Sequence, residues 1–226
     1  MTYLEMCQKM VLDLGLTNTI STVVGQTGMS EKIVKWVADA DEDVQSEWAD
    51  WMFLWTQFSV ATVAGTRQYS KPTDIATWDL DSFYLNYTAD TYQHLRELSY
   101  IDYRQAYRQG THTNAKPDMF VITPALNIYL EPIPDAAYTL TADYWKTPTR
   151  MTLNTSTSAI PDRFQRIIIA RAKIYYAEHE EFSAVLDLAN LEYQDLLHKL
   201  ESDQLPGKNK ARKKSDNHDI RMVERW

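Results

Sequence analysis

The residues that ordinarily carry catalysis are thinly spread in this sequence. Its five histidines, His94, His112, His179, His198 and His218, are scattered, and none has a partner at metal-ligand spacing. His179-Glu180 lacks a second histidine four residues on, so no zinc-binding helix motif is present. Gly25-Gln26-Thr27-Gly28 lacks the lysine of a phosphate loop and follows no clear strand. No G-x-S-x-G elbow occurs. Asp79 and Asp81 fall on one side of a strand pattern, where two carboxyls can flank a glycosidic bond. Exposed acids are the norm, so a surface pair is the simpler reading, and a cell-wall hydrolase stays as an alternative. The single cysteine, Cys7, excludes an internal disulfide and lies in a helical pattern, where a buried thiol packs as a small hydrophobe. These residues point to no enzyme and to no catalytic, cofactor-binding or metal-binding site.

Binding chemistry is better represented, in two places. The first is Asp39, Asp41, Glu42 and Asp43, an acidic series on a helical pattern with Glu47 beyond it. Its default is a solvated helix face, and its functional reading is an acidic surface towards a channel or a basic partner. The second is the end of the chain. Residues 204–226 set Lys208, Lys210, Arg212, Lys213, Lys214, Arg221 and Arg225 against Asp216, Asp219 and Glu224. That balance of +4 in a chain of net −8 leaves −12 on the rest. Residues 208–217 are polar and basic with no apolar period, so alone they are expected to be disordered. Apolar groups then return in Ile220, Arg221, Met222, Val223, Arg225 and Trp226. A spacer ending in an aromatic anchor is the build of a docking peptide, here with Lys213 and Lys214 before it. An ordinary frayed terminus and a nucleic-acid arm are the other readings, and the apolar end favours a protein partner. A DNA-binding accessory protein that uses the basic tail is therefore a further alternative.

The elements that must position these residues follow from periodicity. Residues 160–203 read as two helices around the polar break Glu178-His179-Glu180-Glu181, packed antiparallel. The first has one apolar face, Phe164, Ile167, Ile168, Ile174 and Tyr175, with Arg163, Arg166, Arg171 and Lys173 off it. The second carries Ala189, Tyr193, Leu196, Leu197 and Leu200. Residues 2–14 form a helix with Thr2 and Glu5 as a capping box. Residues 30–48 form another, with Ile33, Val37, Ala40 and Val44 inward. The aromatic burst Trp48, Trp51, Phe53, Leu54, Trp55 and Phe58 has no interleaved base and reads as core. From residue 57 the pattern alternates, and short strands with turns suggest an antiparallel sandwich or barrel.

The 226 residues thus predict an α+β chain. Residues 1–56 and 160–203 form a four-helix domain, residues 57–159 a β-rich insertion, and residues 204–226 an extended docking tail. The opening residues lack the basic and apolar regions of a signal peptide. No apolar run approaches the ~20 residues of a membrane span, so a soluble protein made in a cytosol is expected.

Several short segments resemble one family. They are Thr2-Tyr3-Leu4-Glu5-Met6-Cys7-Gln8, Thr22-Val23-Val24-Gly25-Gln26-Thr27-Gly28, Ile33-Val34-Lys35-Trp36-Val37 up to the Trp-rich stretch, and Tyr144-Trp145-Lys146-Thr147-Pro148 before the final helices. In order of elements the chain resembles the head-to-tail adaptor, or connector, proteins of tailed bacteriophages, also described as head-completion proteins or tail accessory factors. The segments carry no chemistry. The resemblance implies a structural virion protein at the head–tail interface that assembles with itself into a ring, usually a dodecamer, under the portal vertex. It implies a C-terminal extension that docks on portal protein, a face that receives tail or tail-nozzle proteins, and a role in retaining packaged DNA. DNA would only pass through the channel, and an acidic body lets it slide because like charges give no sticking contacts.

Overall fold

The computed structural model describes residues 1–17, 19–88, 91–107 and 112–205. Among them the chain is α+β, with five helices and two four-stranded sheets. Residues 1–54 and 148–205 make one compact unit, and Trp55–Thr147 makes a second.

The helical unit holds α1 (Tyr3–Asp13), α2 (Gly28–Ser46), α4 (Arg166–His179) and α5 (Ser183–Gln204). At the head of α1, Thr2 Oγ1 accepts from the Glu5 N–H at 3.3 Å and Glu5 Oε2 accepts from the Thr2 N–H at 2.7 Å, which is the expected capping box. Cys7 is buried in this helix, and burial pushes its thiol up to about 12, so it stays a packed, unreactive group.

Helix α4 departs from expectation. Instead of one apolar face it buries Ile167, Ile168, Ile169 and Ala170 in succession, then Ala172, Ile174, Tyr176 and Ala177. Four consecutive residues turn through most of a full circle at 3.6 residues per turn. It therefore packs against α1, α2 and α5 together and is the central helix of the unit. Pro161 precedes a short 3₁₀ turn, Asp162–Phe164, rather than the first turn of α4 itself. Helix α5 presents the expected inward stripe of Ala189, Tyr193, Leu197 and Leu200.

The stretch before α4 is polar yet firmly tied. The Tyr3 N–H donates to the Ser156 carbonyl at 2.8 Å, and Asn154 Oδ1 accepts from the Val23 N–H at 2.7 Å. Each tie satisfies a backbone donor that the helix end or the loop leaves open.

The aromatic burst divides. Trp51 and Leu54 are buried, and Trp51 Nε1 donates to the Val44 carbonyl at 3.0 Å. Trp48 and Trp55 are about half exposed, which corrects the expectation that the whole burst is core. Trp48 owes its place to an edge contact, its Nε1 donating to Glu201 Oε1 at 3.1 Å.

In the β unit, one sheet runs in the order β1 (Trp55–Ala61), β8 (Thr139–Lys146), β3 (Ile75–Thr88), β4 (Thr91–His94). The other runs β2 (Gln68–Tyr69), β7 (Ile128–Glu131), β6 (Met119–Ile122), β5 (Arg96–Glu97), with α3 (Tyr100–Ala106) between β5 and β6 in sequence. One core lies between them, in which Phe83 stacks on Phe120 at 3.8 Å and Trp78 Nε1 donates to the Leu126 carbonyl at 2.8 Å. The expectation of a wholly antiparallel arrangement fails at one joint, because β5 pairs parallel with β6. A second surprise is that β3 changes sides. Trp78, then Phe83 and Leu85, all face the core, because the register slips between Asp79 and Tyr84. There the Ser82 hydroxyl donates to the Asp79 carbonyl at 2.6 Å and accepts from the Asp143 N–H at 2.7 Å. A side chain thus replaces a ladder bond at an irregularity, and alternation alone does not show it.

The turn between α4 and α5 yields a test. Glu181 sits at φ 58°, left-handed backbone, while the Phe182 N–H reaches back to the Ala177 carbonyl at 2.9 Å. That is the helix-ending geometry in which glycine is favoured because it has no Cβ to clash. Glu181→Gly is expected to raise the stability of the helical unit by about 0.5–1 kcal/mol, the relief being partly offset by a freer unfolded chain. Chemical denaturation of the two proteins side by side measures it, and a loss of stability contradicts it.

Candidate functional site

The acidic series of α2 is not a bare face. Arg150 reaches it from the segment before α4, with Nη2 at 2.6 Å from Asp39 Oδ1 and Nη1 at 2.8 Å from Glu42 Oε2. Asp43 takes a second arginine, Arg171 of α4, at 2.9 Å from Nη2 and 3.2 Å from Nε. It also accepts the hydroxyl of Tyr175. The Arg171 guanidinium stands 4.9 Å from the Tyr175 ring centre and 5.5 Å from that of Tyr193. Planar guanidinium suits both partners, a carboxylate at its edge and aromatic rings at its face. Burial, then the bond to Asp43, pushes the Tyr175 hydroxyl up to about 12, so it stays a donor at neutral pH. Asp39, Glu42 and Asp43 therefore spend much of their charge inside the subunit, joining α2 to its neighbours.

Asp41 must be moved off the acidic face altogether. It is 0% exposed. Ser158 Oγ donates to its Oδ1 at 2.5 Å, and Gln45 Nε2 donates to its Oδ2 at 2.9 Å. Gln45 in turn accepts the Thr149 N–H at 3.1 Å. Asp41 lies four residues after Val37 and eight after Ile33, on the buried stripe of α2, so helical spacing held the signal. Its hydroxyl partner Ser158 is distant in sequence and carried none. Burial outweighs the two donors and pushes the Asp41 carboxyl up to about 6.

Two grooves open on this unit. One of about 520 Å³ runs along α2 and α4 and is lined by Lys32, Lys35, Trp36, Asp39, Glu42, Asp43, Tyr175 and His179. In it Lys32 Nζ lies 2.6 Å from His179 Nε2, while His179 Nδ1 lies 2.9 Å from Glu180. The other, of about 300 Å³, is more apolar, with Leu14, Phe182, Val185 and Leu188 around the Lys173–Asp13 pair at 2.9 Å. Bases and acids share the first groove, so it offers a mixed polar surface rather than a uniformly negative one.

Elsewhere the candidate residues do not converge. Asp79 Oδ1 accepts the Asp81 N–H at 3.2 Å, so this pair shapes a local turn, and the residue across from Asp79 in the ladder is Asp143. Gly25 and Gly28 stand at positive φ in the loop that feeds α2. The docking-tail residues Lys213, Lys214, Ile220, Arg221, Met222, Val223, Arg225 and Trp226 lie outside the described residues. Among the described residues no helix is long and apolar enough to cross a membrane.

Comparison with known proteins adds one finding. The family model described as SU10 adaptor protein matches residues 1–214. No curated protein matches the chain.

The buried carboxyl gives this unit a pH signature. Asp41 is raised from 3.8 to about 6 by folding, so the fold favours its protonated form, a difference of about 3 kcal/mol. The stability it contributes is complete below pH 3.8 and is lost as the pH rises through about 6. Asp41→Asn is expected to remove that slope. Between pH 4 and 7 the wild type should lose up to about 3 kcal/mol relative to the variant, as followed by denaturant titration at each pH. Parallel pH profiles for the two proteins contradict the assignment.

Proposed function

The chain belongs to the SU10 adaptor protein family, whose members are phage adaptors, and on that premise we propose that it is a structural protein of the virion that joins the portal vertex to the tail. The observation that carries this reading is the family match over residues 1–214. The protein works by assembly rather than catalysis. Its copies form a ring, with a dodecamer as the natural count beneath a portal. Portal protein holds one face, tail or tail-nozzle proteins meet the other, and the ring helps to keep packaged DNA in the head until ejection.

The helical unit suits such a load. Its central helix is held to α2 by Arg171–Asp43 and to α5 by Arg166–Glu192, at 2.9 and 2.6 Å. DNA passing a wall that carries Asp39, Glu42 and Asp43 would find Arg150 and Arg171 already taken by these carboxylates and so not free to hold it. Residues 206–226 follow directly on α5 and would carry the basic stretch and its apolar end to a portal subunit. Weak contacts of this kind gain strength when repeated round a ring.

The tail provides the test. Leu205 is buried and stays with the helical unit, so the deletion begins at residue 206. Removing residues 206–226 is expected to leave the melting transition in place and to abolish binding to purified portal rings, measured by co-sedimentation. Unchanged portal binding by the truncated protein removes the tail from the mechanism. Binding to DNA at low salt that disappears with the tail favours the DNA-binding alternative instead.

A further inference from the structure

Strand β1 is an edge strand of unusual openness. It pairs with β8 on one side only, in unbroken register from Trp55↔Trp145 to Ala61↔Thr139. None of its seven residues is buried. Among the described residues, no backbone group of β1 bonds to anything beyond β8. Natural sheets blunt such an edge with a lysine, a proline, a bulge or a very short strand. The edge strands of the other sheet are blunted by length, since β2 and β5 have two residues each. The sequence of β1, Trp-Thr-Gln-Phe-Ser-Val-Ala, has none of these devices.

The opposite edge of the same sheet is β4, Thr-Tyr-Gln-His, which carries no carboxylate, lysine or arginine. Two uncharged edges are notable in a chain of net charge −8. They let two copies approach edge to edge without setting like charges opposite one another. Topology adds a further condition. All three joints of the sheet are antiparallel, so with four strands β1 and β4 run in opposite directions. A copy brought alongside in the same orientation thus sets its β4 antiparallel to β1. The faces agree as well. Leu85 faces the core and pairs with Gln93, so Tyr92 and His94 lie on the outer face. Phe58 and Val60 pack on the core, so Trp55, Gln57, Ser59 and Ala61 lie outward too. Added as a fifth strand, β4 would bring Tyr92, which is 71% exposed, among those outward residues.

We propose that the free edge of β1 receives strand β4 of a second copy of this chain, so that the sheet continues head to tail from copy to copy. The choice of a second copy as occupant rests on the adaptor reading above, because a ring needs a joint between two different surfaces of one subunit. Main-chain hydrogen bonds supply the attraction, and the alternating side chains supply the register.

Two variants test it. Ser59→Lys with Ala61→Lys charges the outer face of β1 at exposed positions, and Tyr92→Lys charges β4. Far-ultraviolet circular dichroism and melting curves should match the wild type. In analytical ultracentrifugation the wild type should self-associate with rising concentration, and each variant alone should do so at least about tenfold more weakly. Mixed, the two variants should form a one-to-one complex, because one keeps an open β4 and the other an open β1. Wild type that stays a single copy at every concentration overturns the proposal, as do variants that associate like the wild type. Self-association of Tyr92→Lys at wild-type strength, with no complex in the mixture, shows β1 pairing with itself and overturns the head-to-tail joint. Portal co-sedimentation of the same variants reads the adaptor assignment separately. Portal binding with unaltered self-association fails this inference and leaves that assignment standing.

Discussion

The helical unit depends on one constraint, the burial of α4 on nearly every side. Two of its charged residues, Arg171 and Lys173, are largely shielded from water and each meets a carboxylate on a neighbouring helix, while Arg166 pairs at the exposed rim. Arg166 reaches Glu192 of α5, Arg171 reaches Asp43 of α2, and Lys173 reaches Asp13 at the end of α1 and Glu192 as well. Arg163, just before the helix, meets Asp203 near the end of α5. These pairs bind the central helix to all three neighbours and fix which way each neighbour is turned. Removing a partner of Arg171 or Lys173 leaves a partly buried charge uncompensated, whereas the exposed Arg163 and Arg166 pairs matter less. For Asp13 burial raises the carboxyl, but Lys173 and Lys9 more than reverse this and hold it below the ordinary aspartate range.

That constraint also decides what the acidic series of α2 is for. Five acids in nine residues look like a solvated face, and Asp39, Glu42 and Asp43 do reach the surface of a groove. Yet Arg150 and Arg171 meet them from elements far away in sequence, and Asp41 turns inward to Ser158 and Gln45. The acids are first a means of joining α2 to the segment before α4 and to α4 itself. Whatever passes this surface meets paired charges, whose field falls away faster than that of isolated ones.

The outline of the fold was legible because it rests on period. Spacings of three and four marked α1, α2, α4 and α5, and alternation from residue 57 marked the start of the β unit. The capping box at Thr2 and Glu5 is short-range chemistry, and it is present. What stayed hidden was decided at long range. The burial of α4 on all sides depends on three partners, not on its own pattern. The slip in β3 depends on Ser82 entering the ladder opposite Asp143, and the parallel joint of β5 depends on how β6 returns past α3. The candidate site was legible by composition only. Nothing local marks Arg150 or Ser158 as partners of α2, because a partner across more than a hundred residues leaves no periodic trace.

Charge and assembly then pull in opposite directions, and the uncharged edges are where the two are reconciled. Copies carrying −8 each repel one another at a distance. At physiological salt that repulsion is screened beyond about 8 Å. Paired strands sit only about 4.8 Å apart, well inside that range, so the charge that matters at a strand joint is the charge on the two strands themselves. β1 and β4 carry no carboxylate, lysine or arginine. An acidic subunit can therefore stay dispersed through its general charge and still close on a copy of itself through edges that carry none. In the proposed joint, higher salt would ease the approach of two copies without loosening the backbone bonds that would hold them.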